Sequence, residues 1–149
     1  MRAIIVAAKL ALPNKETIMA EFKDLIQSAD WKKEKHAPVI EAVDKIKKED
    51  GAIVKISVGK EIAHPNSTAH HIRWIEAYFL PSGEKFPYQI GRFEFTSHGE
   101  SGQGADTSTV YTAPDISLKF KTEKSGAILA ISYCNVHGLW QSFKDITVE

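Results

Sequence analysis

The chain has one cysteine and six histidines, and Cys134 and His137 share the run YCNVHG at residues 133–138. A lone thiol has no internal partner for a disulfide, so the usual structural reason for a cysteine is missing. The i, i+3 spacing lets a thiolate and an imidazole converge on one ion across a tight turn. His64, His70 and His71 sit in HPNSTAHH, and His36 in the lysine-rich EKHAP. A thiolate among several imidazoles is a donor set for a redox-active transition metal.

Each of these residues also has an ordinary reading. A single buried cysteine most often packs as a small hydrophobe, and isolated histidines usually make surface or hydrogen-bonded contacts. Their positions argue for more. His64 lies in a Pro-Asn turn and His70 just before a strand. Cys134 closes a strand, His137 follows in the next turn, and His36 lies in a loop before Pro38. Donors at strand ends and turns can gather where the loops of a sandwich meet. If His70 and His71 both entered the strand, they would face opposite ways. His70 would then join Ile72 and Trp74, and His71 would join Arg73, which favours His70 as the inward donor. His98, in a glycine-rich loop, is read as non-ligating.

Four imidazoles and a thiolate exceed what a closed tetrahedral zinc site takes. Four nitrogens in a plane with an axial sulfur leave a sixth position free, an arrangement suited to iron. Spacing alone leaves copper open, as well as a smaller zinc site using some of these residues.

The elements that must position these donors read as strands. Residues 52–58 alternate Ile53, Val54, Ile56 and Val58, and 72–80 (IRWIEAYFL) is aromatic and β-branched up to Pro81. Further strands are expected at 88–96, 109–112, 116–122, 127–134 and 143–148, separated by Gly, Pro, Ser and Asp clusters. Short strands so spaced predict an all-β sandwich or barrel. Residues 97–106 (SHGESGQGAD) read as a mobile polar loop without a phosphate-binding signature. Residues 39–48 fit a helix or a charged edge strand equally well. Residues 18–28 carry Ile18, Phe22, Leu25 and Ile26 at helical spacing, which predicts a short helix in an N-terminal extension (1–30) ahead of one domain (31–149).

The totals narrow the classes. At 149 residues the chain can bury one core without staples. Lys+Arg and Asp+Glu balance at 19 each, which argues against nucleic-acid binding by bulk charge. A single cysteine excludes a disulfide scaffold and suits a reducing compartment. The apolar run 3–12 is interrupted by Lys9, lacks a clean cleavage site and is too short to span a membrane. A cytoplasmic chain is therefore expected, with Met19 offering a second start.

The segments EKHAPVIE (34–41), GKEIAHPN (59–66), IGR (90–92), FTSHGES (95–101) and SYCNVHGLW (132–140) resemble, in the same order, those of the superoxide reductases. More narrowly, they resemble the one-iron neelaredoxin-type form. The resemblance runs from about Trp31 to the C-terminus. It implies an immunoglobulin-like seven-stranded β-sandwich holding one non-haem iron. The iron donors implied are His36, His64, His70 and His137 in the equatorial plane and Cys134 on the axis. Glu34 and Lys35 match residues of the family's open face, Glu34 as a cap for ferric iron and Lys35 as a steering charge and proton source.

The activity implied is one-electron reduction of superoxide to hydrogen peroxide. A rubredoxin-like donor and a homotetramer are expected with it. Two departures stand out. Ala69 occupies a position where the family often has glutamate, and residues 1–30 lack the four cysteines of the two-iron form. Superoxide dismutation, and a non-catalytic immunoglobulin-like electron-transfer module with copper or zinc, are the competing readings. Backbone amides after Cys134, around Val136 and His137, are expected to tune the sulfur.

Overall fold

A computed structural model describes residues 21–149. The strands are β1 (Ile26–Gln27), β2 (Pro38–Ala42), β3 (Lys45–Ile46), β4 (Ala52–Val58), β5 (Ile72–Pro81), β6 (Tyr88–Glu94), β7 (Asp115–Phe120), β8 (Gly126–Cys134) and β9 (Gly138–Val148). One sheet runs β1-β9-β8-β5-β6, with β3 also pairing β9, and the other runs β2-β4-β7. Without the two-residue β1 and β3, seven strands remain in a four-plus-three arrangement. This agrees with the expected immunoglobulin-like sandwich.

Alternation creates the core. On β4, Ala52, Val54, Ile56 and Val58 turn inward while Ile53 and Lys55 face out. Ile75 on β5 and Ile128 on β8 are fully buried against them. Burying each such branched side chain stabilises the fold by about 1.5–3 kcal/mol. The inward row of β8 continues through Ala130 and Ser132 to Cys134, which is also fully buried. The hydrophobic pattern that packs the sheets therefore delivers the thiol to one end of the sandwich.

Several expectations are refined. Residues 38–42 and 45–46 are strand, with β2 pairing β4 antiparallel from Pro38↔Val58 to Ala42↔Val54. Of the helix expected over 18–28, residues Phe22–Leu25 form a single 3₁₀ turn with no buried residue. Ile26 and Gln27 then pair in parallel with Leu139 and Trp140, so a free sheet edge takes the chain as a strand. Residues 1–20, with the apolar run and Met19, lie outside the described residues. The strand expected at 109–112 reduces to a bridge between Tyr111 and His98.

Residues 97–112 are not an open loop. They fold back as an irregular hairpin, with Thr112 N donating to Ser97 O (2.8 Å), Ser108 N to Gly99 O (2.8 Å) and Gly104 N to Ser101 O (3.0 Å). Among the described residues, no helix is long and apolar enough to cross a membrane.

Candidate metal centre

Five side chains from separate strand ends meet at one end of the sandwich. His36 comes just before β2, His64 and His70 from the β4–β5 connection, Cys134 from the end of β8, and His137 from the β8–β9 turn. One donor atom from each of His36, His64, His70 and Cys134 lies within 4.8 Å of the others. His137 Nδ1 completes the set, at 3.0 Å from His36 Nε2, 3.1 Å from His70 Nε2 and 3.7 Å from Cys134 Sγ.

The four imidazoles form a near-square. Successive ring centroids are 4.9 Å (His36–His64), 4.8 Å (His64–His70), 4.8 Å (His70–His137) and 4.5 Å (His137–His36) apart. The His36–His70 diagonal is 6.1 Å. Nitrogens about 2.1 Å from a shared ion and at right angles to one another sit roughly 3 Å apart, which the His137 contacts match.

Local sequence explains how the donors reach these places. Gly59 ends β4 with φ +84°, and a Cβ there would lie 2.5 Å from His64 N and 3.0 Å from His64 Cβ. Only glycine allows the β4 exit and the histidine to approach so closely. Ser67 N donates to His70 O (3.0 Å) and His70 N donates to Ser67 Oγ (3.1 Å), which closes the turn before β5. Asn135 ties this turn to the cysteine hairpin. Its Oδ1 accepts from His71 N (2.8 Å), its Nδ2 donates to Ala69 O (2.9 Å), and its own N donates to His71 O (3.1 Å). Gly138, with φ +76°, lets β8 turn directly into β9. Of the two amides expected to tune the sulfur, His137 N donates to Cys134 Sγ at 3.4 Å.

The outer nitrogens decide the tautomers. His64 Nδ1 donates to Pro65 O (2.7 Å), so its Nε2 presents a lone pair to the centre. That Nε2 is buried and has no hydrogen-bond partner. His36 Nδ1 lies 2.5 Å from Glu34 Oε1, which also accepts from His36 N at 3.1 Å, and its Nε2 faces inward. Burial, first, and neighbouring positive charge, including Lys35, press the pKa values of His36, His64 and His70 down, that of His64 to about 4. These rings are thus neutral near pH 7. Converging lone pairs on neutral imidazoles, one of them orphaned and buried, repel one another unless a cation lies among them. The donor set fits a metal ion.

The remaining expected residues fall as follows. Glu34 reaches His36 Nδ1, on the side of the ring away from the centre, so capping the open face requires it to leave that bond. Lys35 lies close enough for its charge to bear on three of the histidines. His71 and Arg73 do border one cleft of about 470 Å³, together with His98. His71 is nonetheless buried, stacked on His98 with centroids 3.6 Å apart. Of the pair, His70 lies in the donor group and His71 does not, but strand alternation is not the reason: both precede β5, and the β5–β8 register shifts between Ile72 and Trp74.

Sequence reasoning missed Trp140, stacked on His36 at 5.0 Å, and Ser132, whose Oγ donates to His36 O (3.3 Å). It also missed Asn135. Both Trp140 and Asn135 lie within the SYCNVHGLW run, the signal that could have drawn attention to them.

A β-sandwich with four imidazoles and one cysteine sulfur gathered at its end, a group that could hold a metal ion, is the architecture of a small metal-binding protein. Residues 28–143 match the Desulfoferrodoxin family, and the chain belongs to it. It is 55% identical over 128 residues to a superoxide reductase of Pyrococcus furiosus, covering 85% of this chain and 98% of that one. It is 48% identical over 126 residues to neelaredoxin of Megalodesulfovibrio gigas, covering 85% and 97%. The solved structure of the superoxide reductase (neelaredoxin) from Archaeoglobus fulgidus in the reduced form superposes with a TM-score of 0.76. Identity to it is 56%, covering 83% of this chain and 98% of that one.

Proposed function

We propose that this chain is a superoxide reductase that carries out the reaction O2•− + e− + 2 H+ → H2O2, with the electron supplied by an external donor such as a rubredoxin-like protein. The observation that carries this reading is the near-square of four imidazoles with the buried Cys134 sulfur beside it. Non-haem iron held by His36, His64, His70, His137 and Cys134 would supply a one-electron couple there. The chain's own residues do the rest. Glu34 and Pro65 O hold His36 and His64 in the tautomers that direct Nε2 inward. The His137 amide stabilises the Cys134 thiolate and withdraws some of its electron density, which sets how strongly the sulfur donates. Lys35 attracts the anionic substrate and passes a proton, by way of water, to the reduced oxygen.

Metal analysis and visible spectra in both redox states test the reading. Iron with a thiolate-to-metal charge-transfer band is expected; zinc or copper in the purified protein would sink it. Oxygen evolution during superoxide consumption would indicate dismutation, whereas stoichiometric donor consumption without oxygen indicates reduction. Replacing Cys134→Ser should abolish both the band and the activity, and retention of either removes the thiolate from the centre.

A further inference from the structure

The hairpin 97–112 contributes no donor to the centre, yet it grips the ligand loop at residues between His64 and His70. Asn66 Nδ2 donates to Thr112 O (2.9 Å), which turns its Oδ1 toward His98 Nδ1, 2.9 Å away. The other His98 ring nitrogen lies 2.8 Å from Phe95 O, and the ring is buried and stacked on His71. Thr68 is held by three hydrogen bonds to the same hairpin. Its Oγ1 donates to His98 O (3.2 Å), and its N donates to Asp106 Oδ1 (2.7 Å). Asp106 N donates back to Thr68 Oγ1 (3.2 Å). Asp106 has φ +54°, the only non-glycine residue with positive φ among those described. An aspartate in that conformation is uncommon and persists where surrounding contacts hold it.

Resting on the metal reading above, we propose that this hairpin is a brace for the metal loop, with Asp106 and His98 as positioning residues that fix the separation of His64 and His70. The opposite side of the same loop is held by Asn135 of the cysteine hairpin, so the loop is clamped between two supports. A ligand pair held at its working separation before the ion arrives loses less freedom on binding it, and the ion is retained longer.

Ferrous iron release tests this. The iron-loaded protein is challenged with a ferrous chelator, and melting of the metal-free protein is followed alongside. Asp106→Ala, at an exposed position, should speed iron release about tenfold and lower the metal-free melting temperature only slightly, through strain at φ +54°. Asp106→Asn keeps an acceptor oxygen and tolerates positive φ, so it should restore slow release. Thr68→Val, which removes the Oγ1 bonds to His98 O and from Asp106 N while Asp106→Ala removes the carboxylate bond to Thr68 N, should also speed release, and the double variant should fall short of the product of the two because both loosen one junction. Unchanged release in Asp106→Ala, equally fast release in Asp106→Asn, or a fall in metal-free melting that matches the faster release overturns the brace. Failure of the unmodified chain to take up iron instead defeats the metal reading itself, and the brace with it.

Discussion

The Glu34 carboxylate accepts from both the ring and the backbone of His36, and this hydrogen bonding holds its own pKa below the usual glutamate range. It therefore stays ionised and keeps the His36 proton on Nδ1. Glu34→Ala should loosen that ring and weaken iron retention by roughly 10–100-fold, measured by chelator competition. His64 makes a different prediction. Its pKa is held at about 4, against an ordinary 6.5, chiefly by burial. Below pH 6.5 the unfolded chain therefore binds a proton that the folded chain refuses. The stability of the metal-free protein should be fully present above pH 6.5 and decline as pH falls toward 4, read from melting temperatures across that window. The candidate donors were legible as residue types at suggestive spacings, and family resemblance assigned the full set. The partners of their outer nitrogens were not legible. Pro65 O and the Glu34 carboxylate face those rings only because of how each short loop turns.

The β4–β5 connection depends on backbone conformation more than on side-chain chemistry. Gly59→Ala would force a Cβ against the His64 backbone at a positive φ, costing roughly 1–3 kcal/mol and displacing one donor. Thermal unfolding should register the first effect and metal stoichiometry the second. The 52–58 strand was readable to the residue because its alternation is regular and one face is buried. β5 was readable as a strand but not in its facing, since the register shift after Ile72 breaks the period. The 97–112 hairpin was hidden because Gly, Ser and Asp side chains announce turns without saying what those turns rest on. Its order comes from cross-loop hydrogen bonds and from Tyr111 packed where a side chain on Gly99 would lie.

With 19 basic and 19 acidic residues, the molecule as a whole offers superoxide no net attraction. Steering must therefore be local, and Lys35→Ala should lower the second-order rate with superoxide by about tenfold while flattening its dependence on ionic strength. An unchanged rate would place the attraction elsewhere. The overall sandwich was the most legible level, since six of the seven strand signals are strands and their turn punctuation left only a sandwich or a barrel. What no strand pattern announced is how far apart along the chain the meeting residues lie. His36 and His137 are 101 positions apart, yet their ring nitrogens approach to 3.0 Å. An ion bound among them would tie distant stretches of chain together, as a cross-link ties a loop, in a protein whose one thiol can form no internal disulfide. Losing that ion would therefore lower the stability of the fold as well as remove the chemistry, so the tolerance of the protein to heat becomes a gauge of its metal supply.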